Sequence, residues 1–133
     1  AAITVLNPSP KNLSSYELND TSLVLLLEKN GLRALYTGDA GANIEKELIV
    51  KYDLAAQVLK VGHHGSKYSS DPEFLKEVSP EVSIIEVGKN SYGHPTKEAL
   101  SRLAAVRSAI LRTDQDATIK INFDGRILRL YKY

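Results

Sequence analysis

Short apolar runs alternate with amphipathic stretches along nearly all of this 133-residue chain, and the alternation restricts its possible folds. The apolar runs that we expect to form strands are residues 3–6, 21–28, 32–36, 57–61, 82–87, 109–112, 118–123 and 127–131. The stretches with a helical spacing of apolar residues are 43–51, 71–78 and 96–106. Strands that alternate with helices predict an α/β fold in which helices pack on a sheet.

Turn signals support these boundaries. Asn30-Gly31 and Asp124-Gly125 are two-residue hairpin signals, so the second and third strands are expected to pair antiparallel. The second and fifth strands are apolar on both faces, which indicates burial on two sides.

The predicted helices carry local signals as well. Asp71 is followed by Pro72, which predicts a capped helix that starts there. The spacing in the third helix places Leu100, Leu103 and Ala104 on its buried face.

The composition is that of an ordinary globular domain, with 43% hydrophobic and 25% charged residues. No apolar run approaches the roughly 18 residues of a membrane span. The absence of cysteine excludes disulfides and thiolate metal ligands. The chain also lacks methionine, even at position 1, which predicts a processed product or a piece excised from something longer.

Three polar islands carry the residues with metal-binding or acid–base chemistry. They are Thr37-Gly38-Asp39, Gly62-His63-His64-Gly65-Ser66 and Gly93-His94-Pro95. Each island follows a predicted strand, so a rigid sheet can direct one carboxylate and up to three imidazoles at one point. These ligand types together suit zinc or manganese. Asp39 lies 25 residues before His64, and His64 lies 30 before His94, which is the spacing of an enzyme site and not of a zinc finger.

Each of these residues has an alternative structural role. Asp39 could cap a helix or lie in a turn, His63 and His64 could be ordinary loop residues, and His94 could simply stand at the start of a helix. If their backbone is extended, His63 and His64 point to opposite sides, so one could ligate a metal while the other faces substrate. Ser66 could hold an imidazole or contact a phosphate. A serine nucleophile is disfavoured because no Gly-x-Ser-x-Gly turn is present.

Two features would suit a nucleic-acid substrate. Residues 1–88 carry 8 basic against 12 acidic side chains, whereas residues 89–133 carry 9 against 4. A basic C-terminal third could bind a polyanion, although an ordinary solvated surface with unevenly spread charge is equally consistent with these counts. Tyr68 and Tyr92 lie beside the histidine islands and could stack on a base or a sugar, or be plain loop residues.

Several longer motifs point to one family. They are Asn19-Asp20-Thr21-Ser22-Leu23-Val24-Leu25, Leu35-Tyr36-Thr37-Gly38-Asp39, Val58-Leu59-Lys60-Val61-Gly62-His63-His64-Gly65-Ser66, Tyr92-Gly93-His94-Pro95, and Arg112-Thr113-Asp114 followed by Ala117-Thr118-Ile119-Lys120-Ile121. Together they closely resemble the C-terminal half of the metallo-β-lactamase-fold domain of ComEC-type DNA-uptake competence proteins. The resemblance covers nearly the whole chain. It implies half of an αββα sandwich, with a mixed sheet and helices packed on one face.

The resemblance also implies two divalent metals, zinc or manganese, in the complete domain. The residues that it matches to metal ligands are Asp39, His64 and His94. The expected catalytic residues are His63, His94 and Asp39, and those expected to contact substrate are Ser66, Lys67 and Tyr92. The family's His-x-His-x-Asp-His motif does not occur in this sequence, which implies that an N-terminal half is missing. Asn7-Pro8 stands near the place where many members carry a histidine.

We therefore expect part of a nuclease-like, metal-dependent phosphodiester hydrolase domain of a DNA-uptake protein. The alternatives are another hydrolase of this fold, such as a phosphorylcholine esterase or a small phosphodiesterase, and a non-catalytic DNA-binding or scaffolding domain. The expected partners are DNA, the missing N-terminal half and the membrane-spanning region of the parent. The parent would be a bacterial inner-membrane protein, and this chain would be a soluble domain of it.

The isolated chain is expected to be inactive, and it need not bind metal alone. Half a sandwich would leave one apolar sheet face uncovered, which predicts a homodimer. The alternative is that loop 7–20 and the C-terminal hairpin cover that face.

Overall fold

The computed structural model describes residues 1–133 and contains a six-stranded mixed sheet in the order β1-β2-β3-β4-β5-β6. These strands are β1 (Ala2–Asn7), β2 (Val24–Lys29), β3 (Leu32–Tyr36), β4 (Val58–Lys60), β5 (Val82–Ile85) and β6 (Ala109–Arg112). The pairs β1–β2 and β2–β3 are antiparallel, whereas β3 to β6 run parallel. A separate hairpin follows, formed by β7 (Ile119–Phe123) and β8 (Leu128–Lys132). The predicted α/β class is confirmed.

Three α-helices and one short α-helical turn connect the strands, together with 3₁₀ turns at Asn12–Ser14, Leu18–Thr21 and Gly62–Gly65. The α-helical elements are α1 (Ala42–Lys51), α2 (Pro72–Val78), α3 (Lys97–Ala105) and the turn α4 (Thr113–Asp116). The predicted start of α2 is confirmed, because the Asp71 side chain accepts a hydrogen bond from the backbone N–H of Glu73. The sequence pattern does not predict α4, whose four polar residues have no apolar periodicity. None of the helices combines the length and the apolar character needed to cross a bilayer.

The turn between β2 and β3 explains their pairing. Asn30 and Gly31 have φ of +51° and +88°, the left-handed conformation that tight hairpin turns require. The predicted antiparallel pairing is confirmed, with Leu26 opposite Leu35.

The main core lies between the helices and one face of the sheet. Its members from the sheet include Leu26, Leu35, Leu59 and Ile85, and those from the helices include Ile44, Leu48, Phe74, Leu75, Val78 and Leu103. The prediction that Ala104 is buried was wrong: Ala104 is exposed, and Ala99 is buried with Leu103. Ala99 and Leu103 are four residues apart and share the helix face that meets the core, whereas Ala104 lies about 100° further round the helix.

The second face of the sheet is covered only in part. Ile121 of the C-terminal hairpin borders two clefts on this face, one with Leu27 and the other with Ile84. Farther along the sheet, the side chains on β1 and at the start of β2 are open to solvent. We call this the open apolar face; its residues Ile3, Val5 and Leu23 are 63%, 57% and 53% exposed. The hairpin therefore covers the face over the parallel strands and leaves it bare at the antiparallel edge.

Candidate active site

The three polar islands meet because their strands are parallel neighbours. Asp39 follows β3, the paired histidines follow β4, and His94 lies on the loop after β5. The carboxyl ends of adjacent parallel strands lie at one edge of a sheet, where α/β proteins place their ligand sites.

Asp39 sits on a tightly packed turn. Gly38 has φ +53°, and a Cβ there would lie 3.0 Å from the carbonyl oxygen of Leu23, so the turn requires glycine. The backbone N–H of Asp39 donates to the hydroxyl of Ser22 at 3.2 Å. The Asp39 side chain does not cap α1, whose N-cap residue is Gly41. The carboxylate is therefore free to face the histidines.

The paired histidines occupy a left-handed turn, Gly62–Gly65, and not an extended segment. His63 and His64 have φ of +50° and +53°, so the extended backbone that would point them to opposite sides does not occur. Non-glycine residues rarely adopt this conformation, which costs of order 1–3 kcal/mol each and persists only where the surroundings impose it. One such contact is the hydrogen bond from the N–H of His63 to the carbonyl of Gly38, at 3.0 Å.

His64 is oriented by the loop after β5. Its Nδ1 lies 2.7 Å from the carbonyl oxygen of Glu86, which can only accept, so Nδ1 carries the proton. Its Nε2 lies 3.7 Å from Oδ1 of Asp39. In a neutral imidazole this Nε2 presents a lone pair to the carboxylate. The two groups then repel each other unless a positive charge lies on or between them.

His63 faces His94 instead. Their ring centroids are 5.7 Å apart at an interplanar angle of 79°, and the Tyr92 ring lies 6.0 Å from that of His94. Burial lowers the pKa of His94 below 6.5, and charge on His63 and His64 lowers it further. His94 is therefore mainly neutral at pH 7, the form in which an imidazole can ligate a metal.

Asn90, which the sequence did not single out, shapes the loop of His94. The Asn90 amide donates to the carbonyls of Gly88 and His94 and accepts from the N–H groups of Tyr92 and His94. The only sequence signal is an asparagine in a turn-rich loop, which is too common to single it out. His94 does not cap α3, because Thr96 does.

The residues expected to contact substrate differ in accessibility. Ser66 is 2% exposed, and its hydroxyl accepts from the N–H of Tyr68 at 3.3 Å, which is the environment of a turn residue. Lys67 is exposed, with its ammonium 5.2 Å from the Tyr68 ring centroid. Tyr92 is exposed beside His94. Lys67 and Tyr92 can thus be reached by a ligand, and Ser66 is placed to support the turn.

The donor types suit a transition metal, but the chain does not supply a complete ligand set. Asp39 and His64 stand close enough to share one ion, since carboxylate and imidazole ligands each lie about 2.0–2.2 Å from zinc. No group of three or more potential ligands converges anywhere in the structure. A metal centre at this edge would need further ligands from outside the chain.

Comparison with known proteins gives a consistent set of relatives. No protein-family model matches the chain. ComE operon protein 3 of Bacillus subtilis is 39% identical over 125 residues, which cover 92% of this chain and 16% of that protein. Competence protein ComA of Neisseria gonorrhoeae is 36% identical over 132 residues, 93% of this chain and 19% of that protein. Recombination protein 2 of Haemophilus influenzae is 34% identical over 116 residues, 86% of this chain and 15% of that protein.

The chain therefore spans less than a fifth of the length of each of these relatives. Over most of its own length, it is similar to one segment of a set of competence-related bacterial proteins.

Proposed function

We propose that this chain is the C-terminal part of a metal-dependent phosphodiester hydrolase domain in a DNA-uptake protein. In this proposal its sheet is half of a metallo-β-lactamase sandwich. The other half supplies the remaining metal ligands and packs on the open apolar face. The competence-related relatives favour DNA over a small phosphodiester as the substrate.

The observation that carries the proposal is the approach of Asp39 to His64. The distance of 3.7 Å between Oδ1 and Nε2 is too long for a hydrogen bond and suits two ligands of one cation. The bond from Nδ1 to the Glu86 carbonyl holds the ring with Nε2 turned toward the carboxylate. Proteins commonly hold metal-binding histidines by such a bond from the second ring nitrogen.

The remaining residues of the edge have separate roles in this scheme. In this scheme His94, neutral at pH 7, ligates a metal or accepts a proton, and the ring of His63 contacts it edge to face. A bound divalent cation would supply positive charge to the phosphoryl oxygens. Lys67 and Tyr92 are accessible at the rim for a phosphate and a base.

Part of the basic C-terminal third is already engaged and does not contribute free charge. Arg112, Arg129 and Lys132 form ion pairs with nearby aspartates, and Arg102 donates to two backbone carbonyls. The cations that make neither an ion pair nor a side-chain hydrogen bond are Lys89, Lys97, Arg107, Lys120 and Arg126. Lys89 and Lys97 flank His94 in the sequence, where a DNA backbone would pass.

The open apolar face of the sheet is the surface on which we expect a partner to pack. A second half, or a second copy of the isolated chain, would bury Ile3, Val5 and Leu23. In the whole parent, we propose that a membrane-spanning region holds the domain at the bacterial inner membrane.

The test compares the chain alone with the chain joined to its N-terminal continuation in the parent protein. Single-stranded DNA is incubated with each in excess manganese. We expect turnover only by the longer protein, abolished by Asp39→Ala or His64→Ala and retained by Glu77→Ala, which removes an exposed carboxylate on α2. Turnover by the chain alone, or full activity of the Asp39→Ala protein, would contradict the proposal.

A further inference from the structure

A buried carboxylate lies outside the candidate active site. Glu45 of α1 is 1% exposed, whereas buried glutamates are rare unless they are paired. One carboxylate oxygen accepts from the N–H of Ser70 at 2.7 Å and the other accepts from the N–H of Asp71 at 2.8 Å. The carboxylate thus clamps two consecutive amides at a point where Ser70 has φ +60°.

Arg102 of α3 holds the same segment at its other end. Its Nη1 donates to the carbonyl of Lys67 at 2.9 Å and to that of Ser69 at 3.1 Å. Two helices therefore fix segment 67–71 through Glu45 and Arg102, whose side chains bind only its backbone. A hydrogen bond to a charged group is among the stronger ones in a protein.

The clamped segment is joined directly to the histidine turn. The hydroxyl of Ser69, which is fully buried, lies 3.0 Å from the carbonyl of Gly62 and 3.1 Å from that of Ser66. These two residues bracket His63 and His64. A displacement of segment 67–71 would therefore be transmitted to the two imidazoles.

We propose that Glu45 and Arg102 are positioning residues for the histidine turn. They act on His63 and His64 through the backbone of segment 67–71 and the hydroxyl of Ser69, and neither touches an imidazole. The role of the histidines in metal binding and catalysis rests on the proposed function, but the inference that Glu45 and Arg102 position them does not. A failure of the DNA cleavage test would leave this inference standing.

The test is a pair of matched variants in α1, studied by NMR of the 133-residue chain. Glu45→Leu fills the buried site and removes both acceptors, whereas Glu47→Leu makes the same change at a position that pairs with Lys11, Lys51 and Asn12 and makes no contact with segment 67–71. The readouts are hydrogen exchange at the Ser70 and Asp71 amides and the tautomer of the His64 imidazole at a pH where it is neutral.

For Glu45→Leu we expect roughly ten- to hundredfold faster exchange of both amides, because each loses its carboxyl acceptor. We also expect His64 to lose its preference for a protonated Nδ1, as the bond to the Glu86 carbonyl loosens. The Leu59 amide in β4 should keep its protection, which separates local opening from global unfolding. Glu47→Leu should change neither readout.

Faster exchange with an unchanged His64 tautomer would overturn the proposal, because the segment would then be held without orienting the histidines. Unchanged exchange would overturn it as well. If the Glu45→Leu chain does not fold, Arg102→Met decides. This variant keeps the aliphatic stem of the partly exposed Arg102 and removes both donors to segment 67–71. The same shift in the His64 tautomer is then expected, and its absence would refute the positioning role.

Discussion

The contact between Gly65 and Pro95 joins the histidine turn to the loop of His94, and substitution of Gly65 by alanine should break it. A Cβ on Gly65 would lie 2.6 Å from Cβ of Pro95 and 3.1 Å from its Cα. Carbon atoms in van der Waals contact are about 3.5–4.0 Å apart. The N–H of Thr96 also donates to the carbonyl of Gly65 at 2.9 Å, so the two loops cannot separate freely.

The cost has two parts. Gly65 has φ +78°, and alanine in this left-handed region costs about 1–2 kcal/mol. Forcing a methyl group into a packed contact adds about 1–3 kcal/mol. We therefore expect Gly65→Ala to lower the free energy of unfolding by about 2–5 kcal/mol.

Gly93→Ala is the matched control. Gly93 has nearly the same φ, +76°, and a Cβ there would have no neighbour within 4 Å. The strain and the reduced entropy of the unfolded chain then apply to both variants and cancel in the comparison. Urea unfolding should show Gly65→Ala less stable than Gly93→Ala by about 1–3 kcal/mol, with a similar dependence on urea. Equal costs would refute the idea that this contact locks the two loops together.

The other predictions concern titration, capping and assembly. Burial raises the pKa of Glu45 from 4.5 to about 7, against the hydrogen bonds from Asp71 and Ser70, so the folded state holds the proton more tightly than the unfolded state. The protonated Glu45 contributes fully to the free energy of unfolding below pH 4.5, and about 3 kcal/mol of that free energy should be lost as the pH rises to about 7. Chemical denaturation should show this loss in the wild type and not in Glu45→Leu. An NMR titration should place the pKa of His94 below 6.5, and His63→Ala should raise it only in part, because burial is the larger cause. Asp71→Ala should cost about 0.5–2 kcal/mol in urea unfolding through loss of the helix cap, and a smaller loss would contradict that role. Sedimentation velocity over a dilution series should show reversible dimerisation through the open apolar face, and a monomer at high concentration that binds no hydrophobic dye would exclude it.

Local chemistry made much of the fold predictable from the sequence. Asn30-Gly31 specifies a tight turn because both residues tolerate positive φ, and the pairing of β2 with β3 follows from it. Asp71 before a proline specifies a helix start for a similarly local reason. These signals depend on a few adjacent residues and hold wherever the segment lies in the molecule.

The sequence also indicated which residues carry chemistry, because histidine and aspartate at strand ends are distinctive wherever they occur. It could not show which atoms approach each other. Only the parallel pairing of β3, β4 and β5 brings Oδ1 of Asp39 to 3.7 Å from Nε2 of His64. The same pairing places the ring of His63 beside that of His94. The left-handed turn at His63 and His64 is likewise imposed by contacts from distant segments, against local preference.

Which side chains are buried was decided by the tertiary structure. Nothing in its neighbours distinguishes Glu45 from Glu47, yet one is sealed under segment 67–71 and the other pairs with lysines at the surface. Ala104 and Ala99 have the same side chain, and the face that α3 turns to the core determines which of them is buried. By itself the sequence determined the elements and their turns, since these follow from conformational preferences of neighbouring residues. The assembled fold decided the distances, charge states and exposed faces, since these depend on residues far apart in the chain.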